Sequence, residues 1–202
     1  MNDTKQKILD AAERLIAEQG YAATSLRQII AEAGVNLASV HYHFGSKEEL
    51  LDELVVRKAG PVNQTRLALL DRYVAEFIGA PVPVEKVLHA FLAPMVETGN
   101  RNPQFVRVMG RIVIEGLLPR VIQKNFQTVL PRFVGALREA LPYLDEEEFQ
   151  WRIHFMTGTI AHTMCAAPEG DFGARIERLI VFLSAGFRAP AAKDVNQAVE
   201  VE

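Results

Sequence analysis

Apolar residues recur at steps of three and four from one end of the chain to the other, and the first such stripe is Ile8, Ala11, Ala12, Leu15 and Ile16. The spacing predicts an amphipathic helix with Asp3 and Gln6 as its capping pair and Gly20 as its stop. Leu26, Ile29, Ile30 and Ala33 mark a second, short helix with Thr24 at its N-cap and Gly34 at its end. A third helix, 37–44, opens after Asn36, places Val40 and Phe44 four residues apart on one face, and closes at Gly45. Ser46 with Glu49 reads as a capping box for a fourth, which turns Leu50, Leu51, Leu54 and Val55 inward and runs to about Ala59.

Past Gly60-Pro61 the helices become longer and more apolar, and the boundary between two domains is expected there: 1–58 as a head, 59–188 as a body, and 189–202 as a loose polar tail. Six body helices are expected, over 62–78, 84–98, 103–117, 119–140, 146–166 and 172–188. No stretch alternates with period two for long enough to make a strand, so the fold class is all-α.

Composition narrows the picture. With 49% apolar and 23% charged residues the chain is an ordinary globular one. Its single cysteine, Cys165, excludes an internal disulfide and a cysteine-built metal site. It has no apolar run long enough for a membrane span and no signal-peptide pattern, so a cytoplasmic protein is expected. His89, His154 and His162 stand in no nucleophile–base or metal-ligand spacing, which argues against an enzyme; neither cofactor nor metal is expected.

The net charge of −3 excludes a protein that coats nucleic acid by bulk attraction. Between Gly20 and Lys47, however, Glu32 is the only acid. That window contains two short helices joined by Ala33-Gly34-Val35-Asn36, the layout of a helix-turn-helix. Val40 and Phe44 hold the third helix down, which leaves a side with Leu37, Ala38, Ser39, His41, Tyr42 and His43 for a major groove about 12 Å wide.

The segment TSLRQIIAEAGVNLASVHYHFGSKEELL closely resembles the DNA-binding domain of TetR-type transcriptional regulators. The resemblance covers about residues 4–58, and the helical remainder is similar in length and layout to that family's ligand-binding and dimerisation domain. VNLASVHYHFGSK, with REALPYLDEEEFQWRIHFMTGTIAH further on, looks most like the PsrA-like branch, whose members respond to fatty acids or their thioesters. The resemblance implies that Thr24, Ser25 and Arg27 meet phosphates or a base edge, and that Asn36, Leu37, Ala38 and Ser39 open toward bases. His41 and Tyr42 take the place of the family's aromatic pair, with His43 and Lys47 on the phosphate backbone. Leu37 stands where many relatives carry a basic residue, so its contact would be apolar, against a thymine methyl.

In the body, Phe91, Met95, Val108, Ile112, Phe126, Leu130, Phe133, Trp151, Phe155, Thr159 and His162 are the candidate lining of a pocket for an apolar effector. Such residues at helical spacing also make plain core. Arg107, Arg111 and Glu115 read as a solvated ion ladder. The helices near 146–166 and 172–188 are expected to form a homodimer face, because the second is apolar all round and Gly158, Ala161 and Cys165 would admit a close neighbour. A homodimer would set two recognition helices about one DNA turn, roughly 34 Å, apart on a palindromic operator. The alternative is a DNA-binding module governed by a protein partner, with no small-molecule pocket.

Overall fold

The first stripe becomes α1, Asn2–Gln19, with Ile8, Leu9, Ala12 and Ile16 at its buried face. Asp3 does not cap this helix. It lies inside the first turn and pairs with Lys7, while Gln6 donates to Asp10. The computed structural model describes residues 2–166 and 171–191. Eleven α-helices and no strand occur among these residues, and none of the helices is long and apolar enough to cross a membrane. Of the expected tail, residues 192–202 lie outside the described residues.

The head continues with α2, Leu26–Ala33, and α3, Leu37–Phe44. Ile29, Val40 and Phe44 drop from these two helices onto α1 and onto Leu50 and Leu54 of α4, closing a small apolar core. α4 itself, Lys47–Glu76, departs from expectation: it runs unbroken through Gly60-Pro61. Proline there removes the N–H that would reach the Arg57 carbonyl, a defect of about 3 kcal/mol in a helix interior. Packing on both sides outweighs it. Leu51, Leu54, Val55 and Ala59 are buried before the proline, and Asn63, Arg66, Leu70 and Tyr73 after it. Head and body are therefore joined by one rod, since the fourth helix does not end near Ala59 as expected.

The body follows as α5 (Val84–Leu92), α6 (Pro94–Arg101), α7 (Pro103–Ile114), α8 (Leu118–Asn125), α9 (Val129–Ala140), α10 (Glu146–Cys165) and α11 (Phe172–Arg188). Two expected helices are split, and proline explains both. Pro94 cannot donate to a preceding turn and so starts α6, and Pro131 is accommodated only in the first turn of α9. α7 ends at Gly116, whose φ of 72° lets Gly116 N–H reach the Val113 carbonyl and Leu117 N–H the Ile112 carbonyl. α7 lies against α10 along its length, and a Cβ on Gly110 would sit 2.9 Å from the Ala161 carbonyl oxygen. Ala161 and Cys165 thus face α7, not an outside neighbour as expected; Gly158 alone of the three opens outward.

Candidate nucleic-acid interface

The geometry of α2 and α3 follows from two small polar caps and the glycine between them. Ser25, not Thr24, caps α2: its Oγ accepts from Gln28 N–H, and the Gln28 side chain accepts in return from Ser25 N–H at 2.7 Å. Gly34, at φ 63°, ends the helix, and Asn36 starts the next by accepting from Ser39 N–H at 2.9 Å. Gly34 N–H reaches the Ala31 carbonyl, Val35 N–H the Ile30 carbonyl and Ser39 N–H the Asn36 side chain, so local bonds hold the angle between the helices.

The corner leaves one side of α3 uncovered. Asn36, Leu37, Ala38, His41 and Tyr42 are exposed, Tyr42 by 75%, while Ser39 and His43 are half-buried. Ser25 and Arg27 are exposed at the start of α2. Tyr42 and His43 stand edge to face at 5.1 Å. His41 Nδ1 donates to the Gly45 carbonyl at 3.0 Å, which fixes the orientation of the ring. Two expected contact residues are placed elsewhere. Thr24 is buried, donates to the Gly20 carbonyl at 2.6 Å and accepts from Gln19, so its hydroxyl closes the α1–α2 turn. Lys47 reaches back into the head: Nζ donates to the Tyr21 carbonyl at 2.6 Å and lies 3.9 Å from the Tyr21 ring centroid. Burial pushes its pKa down against the opposing pull of Glu48 and Glu115.

The seam between head and body has no local signal in the sequence. Glu115, at the end of α7, accepts from Tyr21 N–H at 2.9 Å and Ala22 N–H at 2.8 Å, and Arg111 donates to the Glu18 carbonyl. The expected Arg107–Arg111–Glu115 ladder is not formed: backbone groups of the head take Glu115 and Arg111 instead. Gly20, at φ 88°, gives Glu115 its room: a Cβ there would overlap the carboxylate. Tyr21 OH donates to Glu48, and burial together with that carboxylate raises the phenol to about 12. On the far side, buried Asp52 of α4 accepts from Arg120 at 2.9 Å and Lys124 at 2.6 Å of α8.

The expected effector lining falls into four places. Phe91, Leu130 and Phe133 surround a wholly apolar cavity of about 20 Å³, and Met95 belongs to a second, of about 30 Å³, beside Arg66. Val108, Ile112 and Phe126 are closed core. Trp151, Phe155, Thr159 and His162 are on the outer side of α10, where Thr159 and His162 line an open groove with Leu179 and Phe182 of α11. Trp151 and Phe155 stack there at 5.7 Å with about half of each exposed, and Thr159 donates to the Phe155 carbonyl. Phe182 of α11 adjoins Thr159 and His162 of that side, and its neighbour Val181 is likewise exposed. Periodicity identified these residues as apolar but not what covers them.

Two family models match the chain: bacterial regulatory proteins of the tetR family over residues 8–54, and the tetracyclin repressor-like C-terminal domain over 88–186. The chain belongs to the TetR family. That family is one of regulatory proteins, not of enzymes. Among curated TetR relatives, the transcriptional regulator AcrR of Shigella flexneri is 33% identical over 101 residues, 49% of this chain and 45% of AcrR. LmrA of Bacillus subtilis is 52% identical over 54 residues, 26% of this chain and 29% of LmrA. The chain thus spans less than half the length of these relatives. The crystal structure of the fatty acid degradation regulator FadR from Bacillus halodurans superposes with a TM-score of 0.55 at 18% identity, covering 91% of this chain and 99% of FadR, which establishes a shared fold.

Proposed function

We propose that this TetR-family chain is a cytoplasmic, ligand-responsive repressor that grips a palindromic operator as a homodimer. The observation that carries this reading is the uncovered side of α3, whose small and aromatic residues project from a corner locked by its own caps. Ser25 and Arg27 of α2 would hold the phosphate backbone, with Asn36, Leu37, Ala38, Ser39, His41, Tyr42 and His43 in or beside the major groove. Lys47 would act through the turn that positions them, and Thr24 through its hydrogen bond to Gly20.

The homodimer face is the apolar strip of Trp151, Phe155, Val181 and Phe182, with Gly158 open between them. An apolar effector in the body would favour a tilt of α4 that spaces the two heads wrongly for successive grooves, and the Glu115 and Asp52 contacts would carry the tilt. The PsrA-like pattern and the fold shared with FadR support a fatty acid or its thioester as effector. The small size of the two cavities on either side of Phe91 favours the second reading, control by a protein partner.

Selection of bound fragments from random duplex DNA tests the reading. Inverted repeats with half-site centres about one helical turn apart, or a multiple of it, are the expected product. Enrichment of no sequence, or of single asymmetric sites, would remove the dimeric operator.

A further inference from the structure

Midway along α4, Arg66 carries a buried positive charge with no negative partner among the described residues. Nε donates to the Phe91 carbonyl at 2.8 Å and Nη1 to Asn63 Oδ1 at 2.8 Å, and the guanidinium carbon lies 4.2 Å from the Phe91 ring centroid. Those acceptors are neutral and use two of the five N–H donors an arginine offers. Arg152 of α10, equally buried at 6% exposure, has the Glu148 carboxylate 2.8 Å away. Burial alone pushes Arg66 down to about 9, so at neutral pH it stays charged in a setting that opposes charge.

We propose that Arg66 receives the carboxylate of the effector, which is an organic acid with an apolar body. The inference rests on the reading above that the body houses an effector, and it selects the free acid over a neutral thioester acyl group. One guanidinium matches one carboxylate in a two-pronged contact, whereas a dianionic phosphate would leave a charge unmatched. Apart from Thr98 the rest of the cavity that Arg66 lines is apolar, and Met95, Met109 and Met164 wall it. The second cavity is on the other side of Phe91, whose ring meets Arg66 at one side and Phe133, at 5.1 Å, at another. An acid seated on Arg66 would run its tail past Phe91 toward Leu88, Leu137 and Met156. At about 30 and 20 Å³ the cavities each have room for about one water. Binding must therefore move the adaptable methionines and Phe91, and with them the rod that carries the head.

Calorimetry on the full chain with decanoate and with decanol, its neutral counterpart, tests this. Wild type binds decanoate at least about tenfold more tightly than decanol. Arg66→Met abolishes that preference while leaving decanol affinity within about twofold, and Arg66→Lys keeps a reduced preference. Equal affinity of wild type for the two, preference surviving in Arg66→Met, or no binding across hexanoate to hexadecanoate would each overturn the assignment. The wild-type comparison stands even where Arg66→Met fails to fold. Operator release is read separately: decanoate that binds through Arg66 without releasing DNA refutes the effector role and leaves the carboxylate site standing. Decanol that releases DNA as well as decanoate does the reverse.

Discussion

Head and body are turned inside out relative to each other. The head hides Ile8, Ile29, Val40 and Phe44 and shows small, polar and aromatic residues on α2 and α3. Its buried acids have basic partners, Glu13 with Lys58 at 3.3 Å and Asp52 with Arg120 and Lys124. The body instead shows Trp151, Phe155, Val181 and Phe182 on the outside and keeps an unmatched cation, Arg66, within. A finished core suits a part that must present one shape to DNA. An unmatched interior and an apolar exterior suit a part completed by other molecules, a small one inside and a second copy outside.

The largest effect is expected from charging the body's outer face. Phe155→Glu with Phe182→Glu should halve the mass measured by light scattering and weaken operator binding by a factor of about 100 or more, since two linked heads bind far better than one. An unchanged mass would show that this strip faces something other than a second copy.

Next in size is a contrast within the head. Arg27→Ala should lower operator affinity about tenfold and reduce the salt slope by roughly one, with thermal stability kept. Thr24→Val should do the opposite, costing about 1–2 kcal/mol in urea unfolding through the stranded Gly20 carbonyl, with the salt slope kept. If Thr24→Val also flattens the slope, its hydroxyl reaches the backbone of DNA after all.

The smallest effect concerns the seam. Glu115→Gln loses one charge-assisted acceptor and should cost about 1 kcal/mol. Hydrogen exchange should quicken at the Tyr21 and Ala22 amides and stay unchanged at Val40. Uniform quickening would mean that Glu115 supports the whole fold and not one joint.

What the sequence made legible was local. The bounds of α3 were readable because Asn36 and Gly45 act within one turn of it, and Val40 and Phe44 are buried as their spacing requires. At α2 two adjacent hydroxyls competed for the cap, and Ser25 holds it because Gln28 stands three residues on. Gly60-Pro61 has the chemistry of a stop, yet burial on both sides of it keeps α4 whole. Glu115 and Arg66 had no local signature: the first finds its partners 94 and 93 residues away, and the second is distinguished only by the lack of an acid beside it.

The Glu115 contact also bears on protein engineering. Anyone grafting this reading head onto a different sensor would have to transplant an acceptor at the tip of the sensor's third helix, together with the Gly20 notch that admits it. Without that pair, news of a captured molecule would reach DNA through α4, its Asp52 contacts and what remains of the α1–α7 packing.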